Sequence, residues 1–168
     1  SRYVQMRPAC ALLLLLACVA SEEDPRASMS DDELAIHYRN HYPLIYAAGE
    51  ADLGQLRALL MSGADVNARS PDGETALHVN AIKGDPEITE LLLANGAEVD
   101  ARTPKGKTHA VDKGPTLSMT PLMWAVNGGT PRHTQMVKLL LKAGANPLAA
   151  DENGKTVLEM AREAQEVE

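Results

Sequence analysis

The sequence predicts an all-α fold, a solenoid of stacked helix–turn–helix units joined by β-turn or hairpin loops, and three observations carry that expectation. A stretch of wording recurs, since Gly63-Ala64-Asp65-Val66-Asn67-Ala68-Arg69 returns as Gly96-Ala97-Glu98-Val99-Asp100-Ala101-Arg102 after 33 residues. A fixed period of this size marks an architecture in which each unit buries its apolar face only against its neighbours. The apolar content is mainly Leu, Ala, Val, Ile and Met, with no Phe, one Trp and four Tyr. Short helices packed through Ala and Leu account for that bias, whereas a β-sandwich draws on aromatic and β-branched residues. Turn wording such as Ser70-Pro71-Asp72-Gly73 then falls between the repeated apolar stretches, where a tight reversal uses Pro and Gly.

Between the two copies lie Thr75-Ala76-Leu77-His78, an apolar segment and Glu90-Leu91-Leu92-Leu93. In period and wording this resembles the ankyrin repeat, a β-turn followed by two antiparallel helices, the first opened by Thr-Pro-Leu-His. The resemblance implies a protein-interaction module without catalysis or cofactor.

At the N-terminus, Ala9 to Ala20 is apolar, includes Leu12 through Leu16, and is flanked by Met6-Arg7 and by Ser21-Glu22-Glu23-Asp24. The run is short for a bilayer span, and its flanks fit a secretory signal over residues 1–20, with Met6 as an alternative start and cleavage after Cys18-Val19-Ala20. Leu15-Leu16-Ala17-Cys18 also resembles a bacterial lipobox, in which Cys18 would carry lipid and anchor the chain to a membrane. Both cysteines, Cys10 and Cys18, lie in this run, so a chain cut after Ala20 has no disulfide and relies on packing. That cut also removes Arg2 and Arg7, leaving 14 basic against 23 acidic residues, a net charge of −9.

Residues 21–29 are polar, contain Pro25 and read as a linker. Order is expected from Ser30, where Ser30-Asp31-Asp32-Glu33 has capping-box spacing ahead of Leu34, Ile36 and Tyr38, giving an N-terminal capping helix over 30–41. The first repeat occupies 42–73. Tyr42-Pro43-Leu44-Ile45 stands 33 residues before Thr75, with Tyr42 and Ile45 replacing the family's Thr and His, and Leu53 to Met61 forms the second helix before Gly63. The second repeat occupies 74–106, with helices over Ala76 to Ile82 and Pro86 to Ala94 and with Asp85 as N-cap. Here Asn80 replaces the pattern's Ala, and a buried Asn without partners costs about 1–3 kcal/mol.

The third repeat, 107–154, is stretched twice. Thr75 to Thr120 is 45 residues, twelve beyond the period, which sets Thr108 to Met119 aside as an insertion. Thr120 to Gly144 is 24 residues against 21 elsewhere, which places Thr130-Pro131-Arg132 as a second insertion between helices. Both are expected in connections. Residues 155–168 close the array with a helix from Val157 to about Gln165, made polar on one side by Glu159, Arg162, Glu163 and Glu166, a terminal cap that favours a monomer.

The formal charge of −7 comes from dispersed acidic residues and argues against nucleic acid, which wants a basic face. By resemblance, the residues between the framework positions meet a protein partner. These are Arg69, Pro71, Asp72 and Glu74 in one turn, Arg102, Pro104, Lys105 and Lys107 in the next, and Glu50, Ile82, Lys83 and Asn127 at the inner-helix ends. Lys105, Lys107, His109 and Lys113 gather basic groups on a finger over 103–119 in an acidic protein, suited to an acidic partner patch. Glu33, His37 and His41 are spaced to share one helical face and form an alternative metal-binding reading, and a structural extracytoplasmic scaffold or stress-protection role is the other. By resemblance His78 ties adjacent turns together. Trp124, in register with Tyr46 and Val79, reads as core. No nucleophile elbow, P-loop, H-E-x-x-H or dinucleotide fingerprint occurs.

Overall fold

A computed structural model describes residue 26, residues 29–104 and residues 118–166. The first helix, α1 (Asp31–His41), starts at the expected capping box. Ser30 Oγ accepts from the Glu33 N–H while the Glu33 carboxylate accepts from the Ser30 N–H at 2.8 Å. Leu34 and Tyr38 are buried against α2, but Ile36 points outward with 55% of its surface exposed.

The first repeat supplies α2 (Pro43–Glu50) and α3 (Leu53–Met61), and the second α4 (Ala76–Lys83) and α5 (Pro86–Ala94). The third supplies α6 (Pro121–Asn127) and α7 (Pro131–Lys142), and α8 (Val157–Glu166) closes the array. Successive inner helices α2, α4, α6 and α8 stack directly, and α3, α5 and α7 form a second row behind them. Among the described residues there is no strand, only an isolated bridge between Ala150 and Thr156.

The core follows the repeat. Leu44, Leu77 and Leu122 stand at one register and are all but inaccessible, as are Tyr46, Val79 and Trp124 two residues on. Trp124 is therefore core, its indole edge-on to the His78 ring at a centroid distance of 5.6 Å. Asn80 is fully buried and finds partners, its amide donating to the Asp85 carbonyl at 2.9 Å and to Thr89 Oγ1 at 2.8 Å.

Three sequence expectations change. The extra residues Thr130-Pro131-Arg132 are not a connection. Thr130 is the N-cap and Pro131 the first residue of α7, which runs 12 residues where α5 runs 9. Pro suits this place because the first helical N–H has no intrahelical acceptor to lose. The final helix is less complete a cap than its polar residues imply, since Leu158, in the register of Leu44, Leu77 and Leu122, is 53% exposed. The stretch read as a linker also contains a fixed residue, because Arg26 is 9% exposed and bonded to Tyr38 and Asp72.

Candidate functional site

The turns are held by a shared bond. The Ser70 N–H donates to the Glu74 carbonyl at 2.9 Å, the Thr103 N–H to the Met119 carbonyl at 3.1 Å, and the Asp151 N–H to the Lys155 carbonyl at 2.9 Å. Two of these pairs close over three residues, whereas Thr103 and Met119 enclose fifteen. Met119 N–H also donates to Thr103 Oγ1 at 3.1 Å, which locks the base of the insertion. The base of this longer turn thus keeps the geometry of the other two. Lys105, Lys107, His109 and Lys113 lie outside the described residues.

His78 ties the second repeat to that base. Its Nδ1 accepts from the Thr75 N–H at 3.2 Å, so Nε2 carries the proton and donates to the Met119 carbonyl at 3.2 Å. Burial pushes the imidazole pKa down to about 4, opposed by its hydrogen bonds to the Met119 and Ala101 backbone and aided by the positive charge of Arg69. The ring is a neutral linker between turns, as the resemblance implies.

The two arginines predicted at the turns make extensive internal bonds. Arg69 Nη1 donates to the Gly73 carbonyl at 2.9 Å and to the Arg102 carbonyl at 2.8 Å. Arg102 Nη1 donates in turn to the Ser118 carbonyl at 2.8 Å and the Ala150 carbonyl at 3.0 Å. Each guanidinium therefore reaches forward to the same place in the next unit. Asn67 runs beside this spine, its amide donating to the Gly96 carbonyl at 3.1 Å and its oxygen accepting from the Glu98 N–H at 2.8 Å. Asp100 receives the Asn146 N–H in the corresponding place, at 3.0 Å.

The remaining predicted contacts divide by exposure. Pro71, Pro104, Glu50 and Asn127 are exposed, Ile82 and Lys83 half-buried, and Asp72 and Glu74 buried. Burial lowers the Lys83 pKa, against the attraction of the Glu50 carboxylate. Gly73 adopts φ 80, and a Cβ there would overlap the Pro104 ring, so the second and third turns abut tightly. Asp72 pairs with Arg26 at 2.8 Å and accepts from the Tyr38 hydroxyl at 3.1 Å. Burial, then the Asp72 charge, drives the Tyr38 pKa upward.

The metal-binding alternative lacks a constellation. Glu33 turns back to Ser30, whose backbone N–H and then hydroxyl lower its pKa. His41 Nδ1 donates to the His37 carbonyl at 2.9 Å, and the two imidazoles stack at 4.3 Å. Among the described residues no group of three His, Cys, Asp or Glu is placed to hold a metal ion, and no helix is long and apolar enough to cross a membrane.

Sequence reasoning missed His133 and Arg26. The His133 ring packs against Gly84 and Gly128, accepts from Thr130 Oγ1 at Nδ1 over 2.6 Å, and donates from Nε2 to the Ile82 carbonyl at 3.0 Å. The signal was present, because Thr130-Pro131-Arg132-His133 repeats the Thr–His spacing of Thr75 and His78. Arg26 belongs to no repeated wording and carried no such signal.

Comparison with known proteins places this geometry. A family model described as ankyrin repeats in three copies matches residues 7–103, and a single ankyrin-repeat model matches residues 118–152. The interval between the matches overlaps the insertion. The chain is 33% identical over 158 residues to the E3 ubiquitin-protein ligase hecd-1 of Caenorhabditis elegans, covering 92% of this chain but 5% of that protein. It is 45% identical over 49 residues to the serine/threonine-protein kinase 12 of Arabidopsis thaliana, covering 29% of this chain and 11% of that protein. The chain thus spans a small fraction of the length of both curated relatives.

Proposed function

The chain belongs to the ankyrin-repeat family, and we propose that it is a non-catalytic module, exported from the cytoplasm, that binds a protein partner through the turns of its second and third repeats and the 103–119 finger. Ankyrin repeats are generally protein-interaction modules, and the matches to a ligase and a kinase cover small parts of those proteins. The observation that carries the reading is the closing bond kept beneath the insertion. Thr103 and Met119 pair as Ser70 and Glu74 do, so the frame is indifferent to what the hairpin tip contains, and the tip can vary for a partner.

Arg69 and Arg102 serve the frame, and Pro71, Pro104, Glu50, Ile82, Lys83 and Asn127, with the finger, are the principal contacts. Lys105, Lys107, His109 and Lys113 on that finger suit an acidic patch. Reversing Lys105, Lys107 and Lys113 to Glu weakens capture of the partner and leaves melting unchanged. Undiminished binding by that triple variant refutes the role of the finger.

Export rests on the apolar run from Ala9 to Ala20 and its charged flanks. The intact mass of the protein from its native host tests it. A chain starting at Ser21 in an extracytoplasmic fraction is expected, a lipidated chain starting at Cys18 would make it membrane-tethered, and an uncut cytoplasmic chain refutes export.

A further inference from the structure

The second-repeat turn already holds an arginine. Arg26 donates from Nη1 to Asp72 Oδ2 at 2.8 Å and from Nη2 to Asp72 Oδ1 at 3.1 Å, the paired geometry in which a planar guanidinium meets a carboxylate edge to edge. Nη1 also donates to the Tyr38 hydroxyl at 2.7 Å. The Tyr38 O–H donates to Asp72 Oδ2 at 3.1 Å, so the acceptors are linked to one another as well as to their guest. The Arg26 and Asp72 side chains retain 8% and 4% of their exposure.

The backbone that carries the receiving groups is held by bonds that do not involve Arg26. Asp72 is set by the turn, where its N–H donates to Ser70 Oγ at 3.2 Å and the Gly73 N–H to the Ser70 carbonyl at 2.8 Å. The Pro104 ring packed against Gly73 leaves that turn little room to shift. Tyr38 arrives from the buried face of α1. The guest comes from upstream of the capping box, outside the repeated wording of the turns. Turn and capping helix thus hold a buried carboxylate and a hydroxyl ready for a guanidinium, and the chain fills the place itself.

We propose that Asp72 and Tyr38 form an arginine-receiving subsite of the partner surface, that Arg26 is its resident occupant, and that the partner displaces Arg26 with an arginine from an extended basic segment. This rests on the proposed function, in which the second-repeat turn meets the partner, and adds the chemistry recognised and an internal competitor that restrains it. A carboxylate presenting both oxygens favours the forked guanidinium over the compact lysine ammonium. The chain's charge of −7 attracts a basic segment, and exposed Pro71 beside Asp72 offers it an approach. An internal occupant lowers apparent affinity by the fraction of time the site is filled.

The test uses the full chain and two fluorescent probes, hexa-arginine and hexa-lysine, followed by anisotropy at low salt, with circular dichroism confirming that each variant is folded. Removing the occupant with Arg26→Ala should tighten hexa-arginine binding about tenfold or more, as expected when charge-assisted bonds keep a site mostly filled. Hexa-lysine should gain little, and Asp72→Asn added to Arg26→Ala should erase the gain. If that double variant fails to fold, Tyr38→Phe in the Arg26→Ala background takes its place and should reduce the gain. Binding no tighter than wild type, equal gains for both peptides, or a gain that survives loss of Asp72 or Tyr38 overturns the subsite. Failure here, with the finger triple variant still losing its partner, refutes the subsite and leaves the broader function intact.

Discussion

Lowering the pH from 7 to 5 should remove about 2 kcal/mol of stability through His78 alone. Its folded pKa is held at about 4, chiefly by burial, while a histidine in the unfolded chain titrates near ~6.5. Between those values the unfolded chain takes up a proton that the folded chain refuses. Stability therefore falls as the pH drops through this window and is insensitive to this group above it. At pH 4 and below the loss approaches about 3 kcal/mol, at ~1.36 kcal/mol for each pH unit of displacement. The assay is urea denaturation at pH 7, 6 and 5, comparing wild type with His78→Gln. The variant should be weaker at pH 7 by about 1–3 kcal/mol, because buried bonds to Thr75 and Met119 are disturbed. Its loss between pH 7 and 5 should be smaller than that of wild type by about 2 kcal/mol. Equal pH dependence in the two proteins refutes the reasoning, since it would mean that His78 is protonated as easily folded as unfolded.

Asn80→Ala should cost about 1–2 kcal/mol, by removing the amide that serves Asp85 and Thr89. Adding Thr89→Val should cost less than the separate effects predict in denaturant melts, because the emptied polar pair becomes apolar together. Gly128→Ala should destabilise by about 1–3 kcal/mol, since its Cβ overlaps the His133 ring, and the cost should shrink in a His133→Ala background. Arg102→Ala should cost about 1–2 kcal/mol through its bonds to Ser118 and Ala150, whereas Arg57→Ala, exposed on α3, should stay within about 0.5 kcal/mol in the same melts.

Most of the array was legible because its information is local and repeated. Ser30 with Glu33, Asp85 with Pro86, and the 33-residue echo of Gly63 to Arg69 each specify a helix start or unit boundary within a few residues. The three-residue insertion was misplaced because length alone does not say whether extra residues extend a loop or a helix. Thr130 and Pro131 carried the answer as an N-cap and first-turn pair. The candidate surface was less legible. Variable positions between framework residues read as contacts, and the sequence does not show that Arg69 and Arg102 also reach backbone carbonyls one unit away, a pairing that depends on how the units stack. Arg26 could not be found at all, because its partners lie 12 and 46 residues along the chain and no pattern links them.

The central claim is that the turn side of the array is the partner surface. Photo-cross-linking side chains placed one at a time at exposed Pro71, Pro104 and Asn127, and at exposed Glu90 and Lys138 on the outer helices α5 and α7, test it in the native host. The account predicts one shared cross-linked protein from Pro71, Pro104 and Asn127 and none from Glu90 or Lys138. A partner captured as well from the outer helices, or from them alone, would contradict it.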